Sequence, residues 1–542
     1  MVYRGKPSQA CFNCRGRKIR CDLVRPACGQ CIRTNRECQG YRDEWVLMLR
    51  DETQSVAKKA SRALPVSRPV PPTISQALPK NPTTISTKEA ICFFLQAHFI
   101  PGAVSLTDTL STFLSGPASS PSQRAVQSTL VAVSSAMLAR VRGTNAILQI
   151  SRQEYGTALQ RLNEALADPV ESKTNDTLGA VIFLALYEIV VSRVPTLRGI
   201  EGWTNHIRGA AALLEHRGLE QLQNDIGSRL VQHLRYQVIV SCLQRDMHVP
   251  RSLMQYTFST PSAKDKDKDT VDAALILIIA NLSNLRADIK NKTLENPQQI
   301  ISAAYAIEAD LLAWLAALPP QYTYTTHSSS SSLPGLDRVF EQGCHGLRPY
   351  NESYHIYADM WVPNCWNRYR CARVLICEIV VAQLRKIHSS NLQQPSSLSP
   401  DLKAQYSTLH ATASRLATDI CQSVPFHFIG SPPPLNSSAS ETGCGASSSS
   451  YISGLMLLWP LFIAGIVKGP HHPQKKWVLR CLEIVGHTYG LAQALALRDM
   501  LAFDVGLFWF LDADGGGGGF FDCMEGDVDE GLPFLDFSVP VL

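Results

Sequence analysis

The sequence predicts a mostly α chain in three parts: a small cysteine-rich N-terminal unit, a proline-rich linker and a large all-helical domain. Three observations carry that prediction. Six of the sixteen cysteines crowd between Cys11 and Cys38. Prolines recur at 65, 69, 71, 72, 79 and 82, in a stretch (64–84) without acidic residues. Beyond it, apolar residues repeat at helical spacing and strand-like alternation is nowhere sustained. At 542 residues the chain is too long for one ordinary core, and 45% hydrophobic with 18% charged residues is a globular composition.

The cysteines run Cys11-x2-Cys14-x6-Cys21-x6-Cys28-x2-Cys31-x6-Cys38, so C-x2-C-x6-C occurs twice, 17 residues apart. Arg4 and Lys6 are followed by no apolar run, so no export signal is expected, and crowded thiols in a reducing compartment favour metal over disulfides. Two tetrahedral zinc sites need eight ligand positions, and six thiolates supply them only if two sulfurs are shared. The repeat makes Cys11 and Cys28, the first cysteine of each half, the natural bridging pair. A metal is needed on energetic grounds too. The sizeable apolar residues here are only Phe12, Ile19, Leu23, Val24 and Ile32. They cannot offset the ordering of 28 residues at about 1–2 kcal/mol each. The apo segment should be unfolded. The other ten cysteines read as small buried hydrophobes.

Charge divides the chain. Met1 to Arg42 holds ten basic residues against Asp22 and Glu37, a formal +8, whereas the whole chain is +5. From Asp499 onward there is no Lys or Arg and there are ten Asp or Glu. A polyanion partner at one end and a different partner at the other are implied. Within the cluster, the spacer Arg15-Gly16-Arg17-Lys18-Ile19-Arg20 carries four positive charges and no negative one, while Ile32 to Glu37 nets only +1. The first half should therefore face double-stranded DNA, with the second as its buttress. Six thiolates with two Zn²⁺ leave a formal −2, which the basic residues must outweigh near DNA.

The run from Cys14 through Arg15-Gly16-Arg17-Lys18-Ile19-Arg20-Cys21 to Asp22, with Pro26 two before Cys28, resembles the fungal Zn₂Cys₆ binuclear-cluster transcription factors. The resemblance implies that Lys18, with Arg17, reads a CGG-like half-site in the major groove from the end of the first short helix. It implies phosphate contacts for Arg15 and Arg20, a loop-shaping role for Pro26, and a nuclear location. A RING- or LIM-like protein-binding module is the alternative; those modules normally include histidine ligands, and no histidine precedes His98.

The expected layout is a binuclear zinc-cluster domain (1–42), a linker with a short helix and Pro-rich tether (43–87), an all-helical regulatory domain (88–510) and a Gly-rich, acidic-aromatic tail (511–542). The linker stretch from Trp45 to about Arg62 lacks a sustained heptad, so it reads as a solvated helix rather than a dimerising coiled coil; monomer and homodimer stay open. Ser86 and Glu89 form a capping box, and Asp176 is expected to cap a helix over Thr177 to Val191. Further helices are expected from Trp203 to a stop at Gly218, and over Asp272–Leu285, Ile300–Leu318, Trp366–Ile387, Leu402–Cys421, Gly454–Val467 and Lys475–Leu497. Lys264–Asp269, Ser328–Ser332 and Pro432–Ser450 read as surface excursions. Gly454–Val467 is too short for a membrane span and contains Pro460, so no membrane is expected.

Trp203, His206, Gly209, Leu213, Leu214, Arg217 and Gly218 resemble the fungal-specific transcription factor regulatory domain. So do Tyr41-Arg42-Asp43-Glu44, Leu178 to Tyr187 and Leu458-Trp459-Pro460. That likeness implies an effector or inhibitory role and no chemistry. No phosphate-cradling loop, nucleophile elbow or HExxH occurs; Gly515 to Gly519 lacks the Lys-Ser/Thr of a phosphate loop. His206 reads as a packed or capping histidine, and His471-His472 as a solvent-exposed pair rather than the weak metal pair its spacing allows. A regulator is therefore expected rather than an enzyme, over a fused DNA-binding enzyme or a zinc-dependent scaffold. In the tail, Phe520, Phe521, Leu532 and Phe534 are interleaved with Asp522, Glu525, Asp527 and Glu530. That pattern suits coactivator grooves, or alternatively docks on the helical domain.

Overall fold

The computed structural model describes residues 10–24, 27–36, 38, 87–97, 113, 118–192, 198–218, 225–255, 266–329, 346–390, 400–429 and 450–502. The chain divides into two units, Met1–Lys80 and Asn81–Leu542, and the division falls inside the proline-rich stretch. The linker helix, the tether, Tyr41 to Glu44 and the tail from 503 lie outside the described residues.

The described residues of the first unit form two five-residue helices, α1 (Phe12–Gly16) and α2 (Gly29–Arg33), offset by the same 17 residues as the sequence repeat.

The second unit opens with α3 (Thr87–Ala97), α4 (Pro121–Arg142), α5 (Asn145–Ala167), α6 (Asn175–Val191) and α7 (Arg198–Arg217). It continues with α8 (Asp225–Gln244), α9 (Arg251–Gln255), α10 (Lys266–Lys290) and α11 (Pro297–Ala316). A ribbon, β1 (Tyr324–Ser328) and β2 (Ser353–Tyr357), precedes α12 (Trp361–Ser390), α13 (Pro400–Ile429), α14 (Ser450–Ile466), α15 (Pro473–Thr488) and α16 (Ala492–Ala502). One apolar core runs from Phe94 to Leu501.

At its centre lies α6, whose residues Thr177 to Ala185 are all buried. Such a helix is apolar on every side because it is covered on every side. α4, α7 and α5 pack around it. Gly179 is required there: a Cβ would stand 2.7 Å from Cζ of Phe113, whose ring also meets Phe183 edge-on at 6.0 Å. α4 escapes a hydropathy reading because Ser128, Thr129, Ser134 and Ser135 are buried in it. Two of these hydroxyls are satisfied within the helix, Thr129 donating to the Val126 carbonyl at 2.8 Å and Ser134 to that of Leu130 at 2.6 Å. Ser120 and Gln123 form its capping box, and Gly143 at φ +65° ends it.

Several expectations need correction. Thr174, not Asp176, caps α6, its hydroxyl accepting from the Thr177 N–H at 3.2 Å. The helix expected over Lys475–Leu497 is two helices, α15 and α16, separated at Gly490, which adopts φ +73°. α10 begins at Lys266, inside the stretch expected as a surface excursion. The antiparallel ribbon pairs Tyr324 with Tyr357 and His327 with Tyr354, the one departure from helix among the described residues beyond 80. It was too short to register as alternation. Cys242, Cys365, Cys371, Cys377, Cys421 and Cys481 are buried as expected, but Cys92 is exposed.

Charge is also buried. The Arg286 side chain is 1% exposed and bridges Asp246 at 2.7 Å and Glu378 at 2.6 Å, tying α10 to the end of α8 and to α12. Replacing Arg286 by Met should leave two carboxylates facing each other without their cation and cost about 3–5 kcal/mol. Urea denaturation followed by circular dichroism checks this. A loss below 1 kcal/mol would mean the carboxylates are satisfied in another way.

Candidate metal centre and nucleic-acid interface

Each C-x2-C step closes one helical turn, and each half repeats the same bonds. The Cys14 N–H donates to Cys11 Sγ at 3.4 Å and the Cys31 N–H to Cys28 Sγ at 3.3 Å. Past the helices, the Ile19 N–H reaches the Cys14 carbonyl and the Arg36 N–H that of Cys31, both at 3.0 Å. The residue before each of those donors, Lys18 in one half and Asn35 in the other, stands in the left-handed region at φ +56° and +48°.

These turns bring all six cysteines together. Cys11, Cys14, Cys21 and Cys28 form one group, and Cys11, Cys28, Cys31 and Cys38 a second; within each, the sulfurs lie within 4.8 Å of one another. Cys11 and Cys28 belong to both. Cys11 Sγ is 3.6 Å from Cys28 Sγ and 3.9 Å from Cys31 Sγ, and Cys14 Sγ is 3.6 Å from Cys28 Sγ. A tetrahedron of sulfurs about 2.3 Å from zinc has edges of about 3.8 Å, so the donor set and its spacing fit that ion. Burial raises Cys11 and Cys14, and the Cys28 thiol pushes Cys31 up to about 12. Cys21 is brought down to about 7: burial opposes the shift, but the Cys11 and Leu23 N–H groups outweigh it. A metal must therefore displace protons from the crowded thiols, and its affinity falls with acidification.

The interior of this unit is sulfur. Among its described residues, Cys11, Cys14, Cys28 and Cys31 form the buried cluster, with Ala10, Cys21 and Cys38 against them. All five apolar side chains counted in the sequence stand outside, from Ile19 at 37% to Ile32 at 64% exposure. The energetic case for a metal is stronger than the sequence suggested.

Of the basic residues, Arg17, Lys18 and Arg20 are exposed; Arg15 lies in α1, and its side chain is outside the described set. Arg33 and Arg36, which the sequence reading left out of the site, are exposed in the second half. Asp22, quoted only as part of the motif, has a definite job. Its carboxylate accepts from the Gly29 N–H at 2.9 and 3.2 Å, capping α2 and joining the two halves. A Cβ at Gly29 would stand 2.5 Å from Asp22 Oδ2, so a larger residue there would displace that carboxylate. An acid placed just after the third cysteine, seven residues before a glycine, was the available signal. Pro26 lies outside the described residues.

Elsewhere, His206 sits in a polar triad: the Tyr155 hydroxyl donates to Glu188 Oε1 at 2.5 Å, and His206 Nε2 is 3.1 Å from that hydroxyl. This is a packed histidine. His472 caps α15, its Nδ1 accepting from the Gln474 N–H at 3.1 Å.

Residues 9–44 match the model of the fungal Zn(2)-Cys(6) binuclear cluster domain, and residues 97–358 match the fungal specific transcription factor domain. The second match ends within the core, which continues through α12–α16. The chain is 26% identical to transcription factor dbaG of Emericella nidulans over 144 residues, 26% of this chain and 30% of that protein. It is 55% identical to transcriptional regulatory protein moc3 of Schizosaccharomyces pombe over 31 residues, 6% of each. Over 38 residues it is 47% identical to arginine metabolism regulation protein II of Saccharomyces cerevisiae, 7% of this chain and 4% of that protein. The matched part is thus less than a third of each of these relatives. No solved structure matches the chain. The families imply zinc binding, DNA binding and nuclear action, and point to a regulator rather than an enzyme.

Because Asp22 holds the halves together, Asp22→Ala should weaken zinc retention by about tenfold, the value of one charge-assisted bond at about 1.5 kcal/mol. Chelator competition on the full-length protein measures it. Unchanged retention would leave Asp22 a surface residue.

Proposed function

From a chain that belongs to the fungal zinc-cluster transcription factors, we propose a nuclear, non-enzymatic regulator that holds two Zn²⁺ and reads CGG-like sites in double-stranded DNA. The observation that carries this is the pair of four-sulfur groups sharing Cys11 and Cys28, beside an exposed basic turn. Six sulfurs fill eight positions only with that sharing. Cys11 and Cys28 therefore bridge, Cys14 and Cys21 complete one site, and Cys31 and Cys38 the other. The zinc ions act structurally, giving the unit an interior in place of apolar carbon.

In this reading the DNA-binding domain is 1–42, the linker 43–87, the regulatory domain 88–510 and the tail 511–542. Lys18, with Arg17, donates to guanine O6 and N7, since both project from the turn where α1 stops. Arg15 and Arg20 flank that turn and contact phosphates, fixing register without reading sequence. The tail recruits coactivators. A metabolic role is printed in the name of the budding-yeast relative, and comes here as part of the same proposal.

Two measurements test this. Elemental analysis should give two zinc ions per chain, and replacing Cys11 or Cys28 by Ala should cost both, whereas replacing Cys14 or Cys38 disturbs one site directly. One zinc in the unmodified protein would refute the bridged centre. In binding assays, Lys18→Ala should erase about 10- to 100-fold of discrimination for CGG, equivalent to about 1–3 kcal/mol. Arg20→Ala should weaken all sequences alike and lower the salt slope by about one. If Lys18→Ala lowers total affinity but keeps the CGG preference, the roles are wrongly assigned.

A further inference from the structure

Helix α12 carries two buried arginines one turn apart, and they differ in their anion. Arg373 turns the Nε and Nη2 edge of its guanidinium onto Glu308 of α11, both nitrogens donating to Oε1, at 3.1 and 2.5 Å. That is the edge that grips a carboxylate side-on. Arg370 is buried more deeply, at 1% exposure, yet among the described residues no carboxylate stands within 4 Å of it. Its Nη1 is satisfied by the Tyr357 hydroxyl at 3.1 Å and the Asn367 amide oxygen at 3.0 Å. The other edge is not. Nε has no acceptor among the described residues, and Nη2 has His355 Nδ1, 3.4 Å away and itself 3.0 Å from the Tyr357 hydroxyl. A buried cation without a counter-ion is unfavourable, and two other buried arginines show the usual arrangement. Arg286 bridges two carboxylates, and Arg368 meets Asp272 at 2.5 Å.

A second group beside Arg370 is also unsatisfied. His427 of α13 is 0% exposed, and neither ring nitrogen has a partner. α13 is tied to this place by the Asn367–Ser423 bond at 2.9 Å, one turn from His427, and by Phe426 against the Tyr357 ring at 5.3 Å. Burial, then the charge of Arg370, push His427 down to about 3, so its ring is neutral and has one N–H to give. Asp419 of α13 senses the arginine without pairing with it: burial raises its carboxyl, and Arg370 offsets part of that rise. The Tyr324 and Trp366 rings close the cluster, 5.2 and 5.3 Å from the guanidinium carbon.

We propose that the Nε–Nη2 edge of Arg370, with the His427 N–H, is a binding site for the carboxylate of a small organic acid. A carboxylate offers two oxygens in the plane of the fork and keeps lone pairs for the histidine. It also carries the single negative charge that one guanidinium balances. Tyr324 and His355 belong to the ribbon β1–β2, which forms one side of the cluster. A two-stranded ribbon is marginal away from its packing, so its opening gives the ligand a way in. Occupation then holds the ribbon against α12 and α13. The site does not rest on the DNA-binding proposal.

The test uses the full-length, zinc-loaded protein without DNA, with sodium acetate replacing sodium chloride at constant ionic strength. The thermal midpoint of the helical signal should rise by about 2 °C or more up to about 100 mM acetate and then level off, as one site does. Arg370→Met should abolish the rise. His427→Phe, which keeps the arginine, should move half-saturation up at least threefold, and it decides the matter if Arg370→Met does not fold. Arg480→Met, at an exposed arginine of α15, should respond as the unmodified protein does. No rise in the unmodified protein, or a rise unaltered in both site variants, overturns the proposal. So would an equal rise when sulfate replaces chloride, which would make the effect one of ion exclusion from the surface. A rise seen only after removal of residues 503–542 would also overturn it, giving the edge to an acidic side chain of the tail.

Discussion

Among the described residues of the first unit the interior is sulfur, and what they present to a partner depends on that constraint. In an ordinary small fold, apolar side chains converge and polar ones are left outside. Here the order is reversed: Phe12, Leu23, Val24 and Ile32 stand in solvent while four cysteines take the centre. Sulfurs 3.6–3.9 Å apart repel as thiolates and cohere only around a cation. The backbone is organised for the same purpose. The same N–H donor points at the first sulfur of each half, and one carboxylate, Asp22, crosses between the halves. Local turns place the cysteines, metal makes them cohesive, and the basic spacer is left free to face outward.

The second unit solves burial in the usual way and then adds polar contacts at depth. Arg286 with Asp246 and Glu378 is one case. Arg370 is another, 1% exposed and bonded to the Tyr357 hydroxyl and the Asn367 amide oxygen at 3.1 and 3.0 Å, with its guanidinium 5.2 Å from the Tyr324 ring. These contacts fasten the short β-ribbon to α12, beside the edge-on contact of Tyr324 with Trp366 at 4.8 Å. Buried arginines are poor sources of net stability, but they accept few alternative arrangements, so they fix which helices meet.

Legibility in the sequence followed the range of the interactions. The cysteine spacing, the charge of the first spacer and the stop at Gly218 are local, and each could be read from neighbours in the chain. Helices such as α6, α11 and α14 were legible to within a few residues, α13 runs on past its expected end at Cys421 to Ile429, and α5 and α8 were not expected. α4 was not, because its buried face is largely serine, threonine and alanine, and its hydroxyls are satisfied only once the helix exists. Nor was the break at Gly490, which takes a left-handed turn between two apolar helices. The Asp22–Gly29 link had a signal in its spacing, but its meaning comes from the contact.

The internal repeat allows one further step, because it supplies its own control. Lys18 and Asn35 occupy equivalent places, both ending a five-residue helix in the left-handed region. Asparagine is at ease there, whereas a long unbranched side chain carries about 1–2 kcal/mol of strain. If the turn served only to reverse the chain, asparagine or glycine would suit both halves. The lysine stands where the spacer carries four positive charges, and the asparagine where it nets +1. Under the proposed DNA-binding reading, the strain kept at Lys18 goes with a side chain used for something other than folding. A cation held at the end of a short helix, on backbone that metal-bound cysteines would fix on either side, can enter a groove without first being ordered. The conformational cost of recognition is then met when the cluster forms rather than when DNA arrives.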